Sequence, residues 1–280
     1  MASTASKERL GPGISRRVWL QAGTAIAAIG LAPGWASGRE ALASPELFVF
    51  RAPNSANTVI GLTIPFAQGR FSTTTARIHV GAKTWSADPA RPARARFAND
   101  DRVRIFAGRC VIGARFVEAV VLELDARELA PAETFDVWAE ISRGEEPRRR
   151  LGNPIVAELV RCNRELAQIH RRISPIDDRA ILTPLVTQIV AARARKVRIA
   201  SHPDAYARRL TDAILPDVIR FTPTSPLGFS YAGQNGRHPA ERTSEIVRTL
   251  LGGSLVPVAD ERGTVLLDRF PYLISTTDLS

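Results

Sequence analysis

The sequence predicts an α+β fold, in which an N-terminal antiparallel β-sandwich-like half is followed by a helical half packed on it. Apolar and polar residues alternate along residues 45–144. Apolar residues recur every three to four positions along residues 153–253, and a terminal strand or hairpin follows in residues 254–280. Apolar residues make up 45% of the chain, which is enough to build a core.

Strict alternation identifies the strands of the first half. The stretches ARIHV, RVRI and FDVWAEIS each place apolar side chains on one face and polar side chains on the other, as half-buried strands do. Residues 58–64 and 117–124 are more apolar, so we expect them to lie at the centre of a sheet. Proline, asparagine and glycine cluster between these segments and predict the turns.

The second half changes to helical spacing after a charged, turn-rich joint at residues 145–154. One predicted helix face carries Ile155, Leu159 and Leu166, and Leu182, Val186 and Val190 recur every four residues further on. The glycines after residue 251 predict the end of the last helix.

The first residues resemble an export signal. Positive charge precedes a short apolar stretch at residues 22–32, and small residues follow it, as in a secretory signal peptide. That stretch is too short to cross a bilayer, which takes roughly 20 apolar residues. Ser15, Arg16 and Arg17 open a pattern similar to the twin-arginine signature. The sequence therefore predicts a signal peptide at residues 1–36, with the twin-arginine translocase as its partner.

The consequence of this prediction is a folded chain in the periplasm or outside the cell. Gln21 stands where lysine is common in such signals, and an uncleaved anchor or a disordered tail are the alternatives. Cleavage is predicted after Ala36 or after Ala43, and residues 37–280 then form a single mature domain. No later apolar run is long enough for a transmembrane segment.

The charge of the chain restricts its partners. The formal net charge is +10, and arginines cluster at residues 147–150 and 192–198. Aromatic residues make up 6% and avoid both clusters, which argues against nucleic-acid binding by stacking. A solvated basic surface is the simplest interpretation, and contact with an anionic envelope surface or an envelope protein is the functional one.

The sequence predicts neither a metal nor an organic cofactor. The four histidines are scattered, and none lies at ligand spacing from another or beside a cysteine pair: His79, His170, His202 and His238. The two cysteines, Cys110 and Cys162, either form a disulfide in an oxidising compartment or remain as two separately buried thiols. No catalytic residues are predicted.

Two candidate binding residues are acidic. Glu241 and Glu245 lie four positions apart on a predicted helix, where two carboxylates can share one face. Such a pair can perform acid–base chemistry in a cleft. Salt bridges to Arg237 and Arg248 are the structural alternative.

The other candidates lie in the long connection at residues 216–239. Loops of this length inside a domain are usually functional or disordered, and its apolar residues argue against disorder. We expect it to pack on the sandwich with Phe229 as an anchor, while Asn235 and Gly236 form a turn that presents Arg237. Arg237 then either fastens the connection to the body of the protein or binds a ligand.

Several stretches together resemble a known family. LGNPIVAELV, LPDVIRFTPTSPLGF, NGR and LLDRFPYL follow one another in the order typical of the bacterial domain of unknown function 4331. The resemblance extends over nearly all of residues 37–280 and favours cleavage after Ala36. It implies an architecture but no activity. Gly38 and Cys110 stand where the family usually has polar residues, so a ligand held by those residues would be lost here.

These observations predict an exported, non-catalytic accessory or binding protein. An envelope-directed hydrolase with a site assembled by the fold, or a structural or adhesion module, are the alternatives. A hydrolase should have a pocket with convergent carboxylates or histidines, whereas a binding module should have a groove or an exposed apolar patch.

Overall fold

The computed structural model describes most of the chain from residue 45 onward. The predicted signal peptide and both predicted cleavage positions lie outside the described residues. Those residues are 45–65, 74–87, 96–97, 102–112, 115–129, 134–143, 148–225, 228–231, 233–253 and 266–275.

Two antiparallel sheets are present, followed by helices, which confirms the predicted fold class. The first sheet runs in the order β1 (Glu46–Arg51), β2 (Thr58–Pro65), β7 (Arg115–Leu124), β6 (Val103–Ile112) and β11 (Ile274–Ser275), with β5 (Arg96–Phe97) also paired to β6. The second sheet runs in the order β10 (Ile219–Phe221), β8 (Phe135–Arg143), β3 (Thr74–Val80) and β4 (Lys83–Ala87), with β9 (Arg149–Leu151) also paired to β8. The apolar segments predicted to be central, β2 and β7, each have a strand on both sides.

The sandwich core follows from the alternation in the sequence. In β3, Ala76, Ile78 and Val80 are buried, while Arg77 is exposed. These side chains belong to a cluster that takes residues from both sheets. The alternation breaks at Glu140 in β8, which is buried although it lies on the polar side of the strand.

A second apolar cluster explains why the central strands are apolar on both faces. Residues of β1, β2, β6 and β7 pack with Tyr272 and Leu273 from the C-terminal segment. The same segment then contributes β11, which pairs with Val111 and Cys110 of β6. The predicted terminal strand is therefore present, while residues 254–265 of the predicted hairpin lie outside the described residues.

Five helices form the second half of the described chain: α1 (Pro154–Cys162), α2 (Arg164–His170), α3 (Asp178–Val197), α4 (Pro203–Ile214) and α5 (Thr243–Gly252). A short 3₁₀ helix (Pro175–Asp177) leads into α3. Asn153 caps α1 and Asn163 caps α2, each accepting a backbone N–H through its side-chain oxygen. The predicted apolar faces meet in one helical core, which includes Leu159, Leu166 and Val186.

The cysteines do not pair. Cys110 is buried in β6, whereas Cys162 is exposed at the end of α1, so the expectation of two buried thiols is wrong for Cys162. Among the described residues, no helix combines the length and apolar character needed to cross a membrane.

Candidate functional site

The predicted turn at Asn235 and Gly236 lies in the connection at residues 216–239 and contacts an earlier part of the same connection. Asn235 accepts the Thr222 N–H through Oδ1 at 2.7 Å and donates to the Thr222 carbonyl through Nδ2 at 3.2 Å. Gly236 has a φ of 70°, and a Cβ there would lie 2.5 Å from the Val49 carbonyl oxygen. Both observations require glycine at this position.

Arg237 fastens this connection to the first strand. Its side chain is largely buried, and its Nη2 lies 3.2 Å from Oε1 of Glu46. It also donates to the Leu47 carbonyl at 3.3 Å and to the Thr243 hydroxyl at 3.2 Å. Its guanidinium lies 4.7 Å from the centre of the Phe48 ring, within reach of a cation–π interaction. These contacts correspond to the structural role considered for Arg237.

The two predicted acidic residues are used differently. Helix α5 begins at Thr243, so Glu241 lies ahead of the helix rather than on it. Its carboxylate accepts the Phe229 N–H at 3.2 Å and the His238 N–H at 2.9 Å. Glu245 lies in the first turn of α5 with its carboxylate 3.5 Å from Nη1 of Arg242. The paired carboxylates expected on one helix face are therefore not formed.

The connection is anchored in two cores. Phe229 is 4% exposed and packs in the helical core, not on the sandwich as expected. Ile219 and Phe221 are the side chains of the connection that enter the sandwich core. The connection thus joins the helices to the second sheet, and the sequence-predicted residues hold it in place.

A buried charge network that the sequence did not indicate includes one residue of this connection, Asp217. It consists of Arg150 from β9, His170 at the end of α2, Asp178 at the start of α3, and Asp217. Their side chains are at most 3% exposed. Arg150 holds Asp178 through two hydrogen bonds from Nη2, at 2.7 and 2.8 Å, and donates through Nη1 to the Ile173 carbonyl at 3.0 Å. Charge-assisted bonds of this kind are the strong class of hydrogen bond.

His170 and Asp217 form the second half of the network. Nε2 of His170 lies 2.7 Å from Oδ2 of Asp217, and Nε of Arg150 lies 3.5 Å from the same oxygen. Nε of Arg150 also lies 3.2 Å from Nε2 of His170. An ionised carboxylate only accepts, so the proton of the 2.7 Å contact belongs to Nε2 of His170. That nitrogen then has no lone pair for Arg150, and Nε of Arg150 is left with Oδ2 of Asp217 as its acceptor. The Asp217 N–H in turn donates to Oδ2 of Asp178 at 2.7 Å, which links the two halves.

Burial and hydrogen bonding compete in setting the charges of the two carboxyl groups. Burial alone would raise the pKa of Asp217, but the His170 hydrogen bond and the charge of Arg150 outweigh it and lower that pKa. Burial raises the pKa of Asp178, and the Arg150 guanidinium opposes this shift. Arg150 therefore supports the charge of Asp178, while His170 and then Arg150 support that of Asp217.

The network corrects the interpretation of the arginine cluster at residues 147–150. Arg149 is exposed as expected of a solvated basic surface, but Arg150 next to it is buried. Gly152 allows this arrangement, since a Cβ there would lie 2.1 Å from the Asp217 carbonyl oxygen. The only local signals for the site are this glycine and the aspartate after Pro216.

A cleft of about 300 Å³ has Asn153 among its lining residues. It is lined by the start of α1, by α4, α5 and β10, and by residues 229–231, 233, 234 and 236. Apolar side chains such as Leu210, Phe229 and Leu250 line it together with polar ones such as Arg220 and Gln234. An apolar lining with a few polar groups is typical of small-molecule sites.

Asn153 connects the buried network to the cleft. Its N–H donates to Oδ1 of Asp217 at 2.7 Å, and its Oδ1 caps α1 by accepting the Ile155 N–H at 2.9 Å. Its Nδ2 then donates to Oε1 of Gln234 at 2.5 Å. The charged groups thereby fix Asn153, and Asn153 fixes the amide of Gln234 in the wall of the cleft.

The described part of the chain has no group of three His, Cys, Asp or Glu side chains arranged to hold a metal ion. Neither His170 nor Asp217 lines the cleft. A scan against protein-family models, a search of the curated proteins and a search of the solved structures found no match to this chain.

Proposed function

We propose that this protein is an exported binding protein and that its ligand occupies the cleft beside Asn153 and Gln234. The observation that carries the proposal is a cleft with an apolar lining and a polar wall held in position by a fully buried network. Its volume lies at the lower end of the range of roughly 300–1,000 Å³ typical of small-ligand pockets. A fixed wall lowers the entropy cost of binding.

Binding is favoured over hydrolysis because the hydrogen-bonded pair of His170 and Asp217 is buried. A general base must come within hydrogen-bond reach of the proton that it removes. The side chains of His170 and Asp217 are 3% and 1% exposed, so a substrate in the cleft does not reach them. Their arrangement suits a structural support for Asn153. The proposal therefore retains the non-catalytic function predicted from the sequence and ranks the envelope-directed hydrolase below it.

The proposed location depends on the twin-arginine pattern at Ser15, Arg16 and Arg17. We expect the Arg16→Lys/Arg17→Lys variant to accumulate as precursor in the cytoplasm, because lysine lacks the planar guanidinium that a paired site recognises. Cell fractionation with immunoblotting of precursor and mature forms measures this. Normal export of the variant would contradict translocation by this route.

The proposed envelope partners rest on charge. Several arginines of the helical half are exposed, including Arg164, Arg172 and Arg209, and they suit an anionic envelope surface or an acidic envelope protein. The resemblance to the domain of unknown function 4331 stays a prediction.

The cleft itself can be tested without knowing the ligand. Ala213 lines the cleft from the exposed side of α4, so Ala213→Trp should fill it while leaving the core intact. We expect saturation-transfer NMR on a mixture of small organic fragments to detect binders of the wild-type protein that the variant no longer binds. Equal binding to both proteins, or to neither, would contradict the proposed function.

A further inference from the structure

The hydrogen bonds around Asn153 determine which end of the Gln234 amide faces the cleft. Oδ1 of Asn153 is used by the Ile155 N–H, so the nitrogen Nδ2 must point toward Gln234. A nitrogen donor there requires the oxygen Oε1 of Gln234 as its acceptor. The Nε2 of Gln234 is thereby left with two N–H donors, and no described residue accepts a hydrogen bond from it.

A second donor lines the same cleft. Ile219 and Phe221 of β10 enter the sandwich core, so Arg220 between them projects toward the opposite face of the sheet. Its Nε lies 3.6 Å from Oδ1 of Asp136, and both side chains are more than 40% exposed. Such an exposed pair is weak and is exchanged readily for another anion. No described residue accepts a hydrogen bond from the two Nη nitrogens of Arg220.

The remaining polar side chains of the cleft are satisfied within the protein. The Ser230 hydroxyl bonds to the backbone of Gly233, and the Tyr231 hydroxyl donates to Thr249 at 3.3 Å. None of the described lining residues carries a carboxylate. The lining therefore offers spare donors and positive charge beside apolar surface.

Because the described lining has spare hydrogen-bond donors and no carboxylate, we infer that the ligand is a small carboxylate with an apolar body. Its carboxylate oxygens accept hydrogen bonds from Nε2 of Gln234 and from the guanidinium of Arg220, and its body packs against Leu210, Phe229 and Leu250. The inference rests on the proposed function, since it names the ligand class of the same cleft. Residues 1–36 carry +3 of the formal net charge of +10, so residues 37–280 keep +7, which also raises the local concentration of anions.

The test compares each carboxylate with a neutral partner of the same shape. Benzoate and phenylacetate are titrated against benzyl alcohol and 2-phenylethanol by isothermal calorimetry on the purified protein at pH 7. We expect the carboxylates to bind at least about tenfold more tightly, which is the effect of one charge-assisted hydrogen bond.

Three variants separate the contributions of the cleft residues. Gln234→Glu keeps an acceptor for Asn153 but replaces the free donor with a negative charge, so it should weaken benzoate binding by more than about tenfold. Arg220→Gln should weaken it by about tenfold or more. Asp136→Asn releases Arg220 from its ion pair and should tighten binding by about two- to fivefold. Arg208→Gln, at an exposed position on α4 outside the cleft lining, is the control and should leave the affinity unchanged.

The outcomes distinguish the inference from the proposed function. If neutral fragments bind as tightly as carboxylates and Ala213→Trp abolishes both, the cleft binds ligands but the carboxylate inference is wrong. If benzoate binding survives Arg220→Gln and Gln234→Glu, the anion binds elsewhere and the inference is again wrong. If Ala213→Trp abolishes no fragment binding at all, the proposed function fails and the inference fails with it.

Discussion

Arg150→Met is expected to lower the free energy of unfolding by about 3–5 kcal/mol at pH 7. The variant keeps a side chain of similar volume but removes a cation that contacts both Asp178 and Asp217 inside the protein. Two carboxylates then stay buried without their cation, and an unpaired buried charge costs more than the pair contributed. Urea unfolding followed by circular dichroism measures the loss.

The neighbouring arginine provides the control. Arg149 lies on the same strand and is exposed, so Arg149→Met should change the stability by no more than about 0.5 kcal/mol. In a double variant, Asp178→Leu should recover part of the loss caused by Arg150→Met, because one uncompensated charge disappears. Equal effects of the two single arginine variants would show that the buried network contributes nothing specific.

The loss of stability caused by Arg150→Met should also depend on pH. The pKa of Asp217 is lowered by folding, so its contribution is present above the unfolded value of about 3.9 and is lost as the pH falls through the folded value. The difference in the free energy of unfolding between the wild type and Arg150→Met should therefore become smaller as the pH falls.

Phe229→Ala is expected to lower the free energy of unfolding by about 3–5 kcal/mol, the range for removing a buried phenylalanine side chain. The ring is 4% exposed in the helical core, and it anchors the connection at residues 216–239, in which Phe229 lies. Loss of this anchor should also expose the connection to proteases. Thermal or urea unfolding measures the first effect, and limited proteolysis with mass spectrometry locates the second.

Tyr231 is the matched control for this prediction. It lies two residues further along the same connection and is 49% exposed. Tyr231→Ala should cost no more than about 1 kcal/mol and leave the cleavage pattern unchanged. A wild-type connection that is already cut rapidly would contradict the packed arrangement.

Local patterns of the sequence were sufficient for the architecture. Alternation over residues 76–80 predicted which side chains of β3 enter the sandwich core, and the four-residue spacing of Leu182, Val186 and Val190 predicted the buried face of α3. Both signals depend on neighbours within one or two turns or strand repeats, so no tertiary information is needed to read them.

The sequence predicted the segment in which the candidate residues lie and left the role of Arg237 open between fastening the chain and binding a ligand. Asn235, Arg237 and Glu241 all contact the connection or its surroundings, and each does so by bonding to the protein. A polar side chain in a long connection gives the same sequence signal whether it fastens the chain or faces a ligand. The difference depends on which carbonyls and amides the fold brings within hydrogen-bond distance.

By itself the sequence determined the strands, the helices and the joint between them, and it predicted the export signal, because these depend on residues close together in the chain. Only the tertiary structure decided that Arg150 is buried while Arg149 is not, and that Asp178 and Asp217 share its charge. The residues of these contacts lie between 20 and 67 positions apart. Arg150 precedes His170 by 20 positions, Asp178 by 28 and Asp217 by 67, and His170 and Asp217 are separated by 47. A buried charge is tolerated only where the fold brings its partners within hydrogen-bond distance. Here those partners are distant in the sequence, so no short stretch of it indicates which residues will meet.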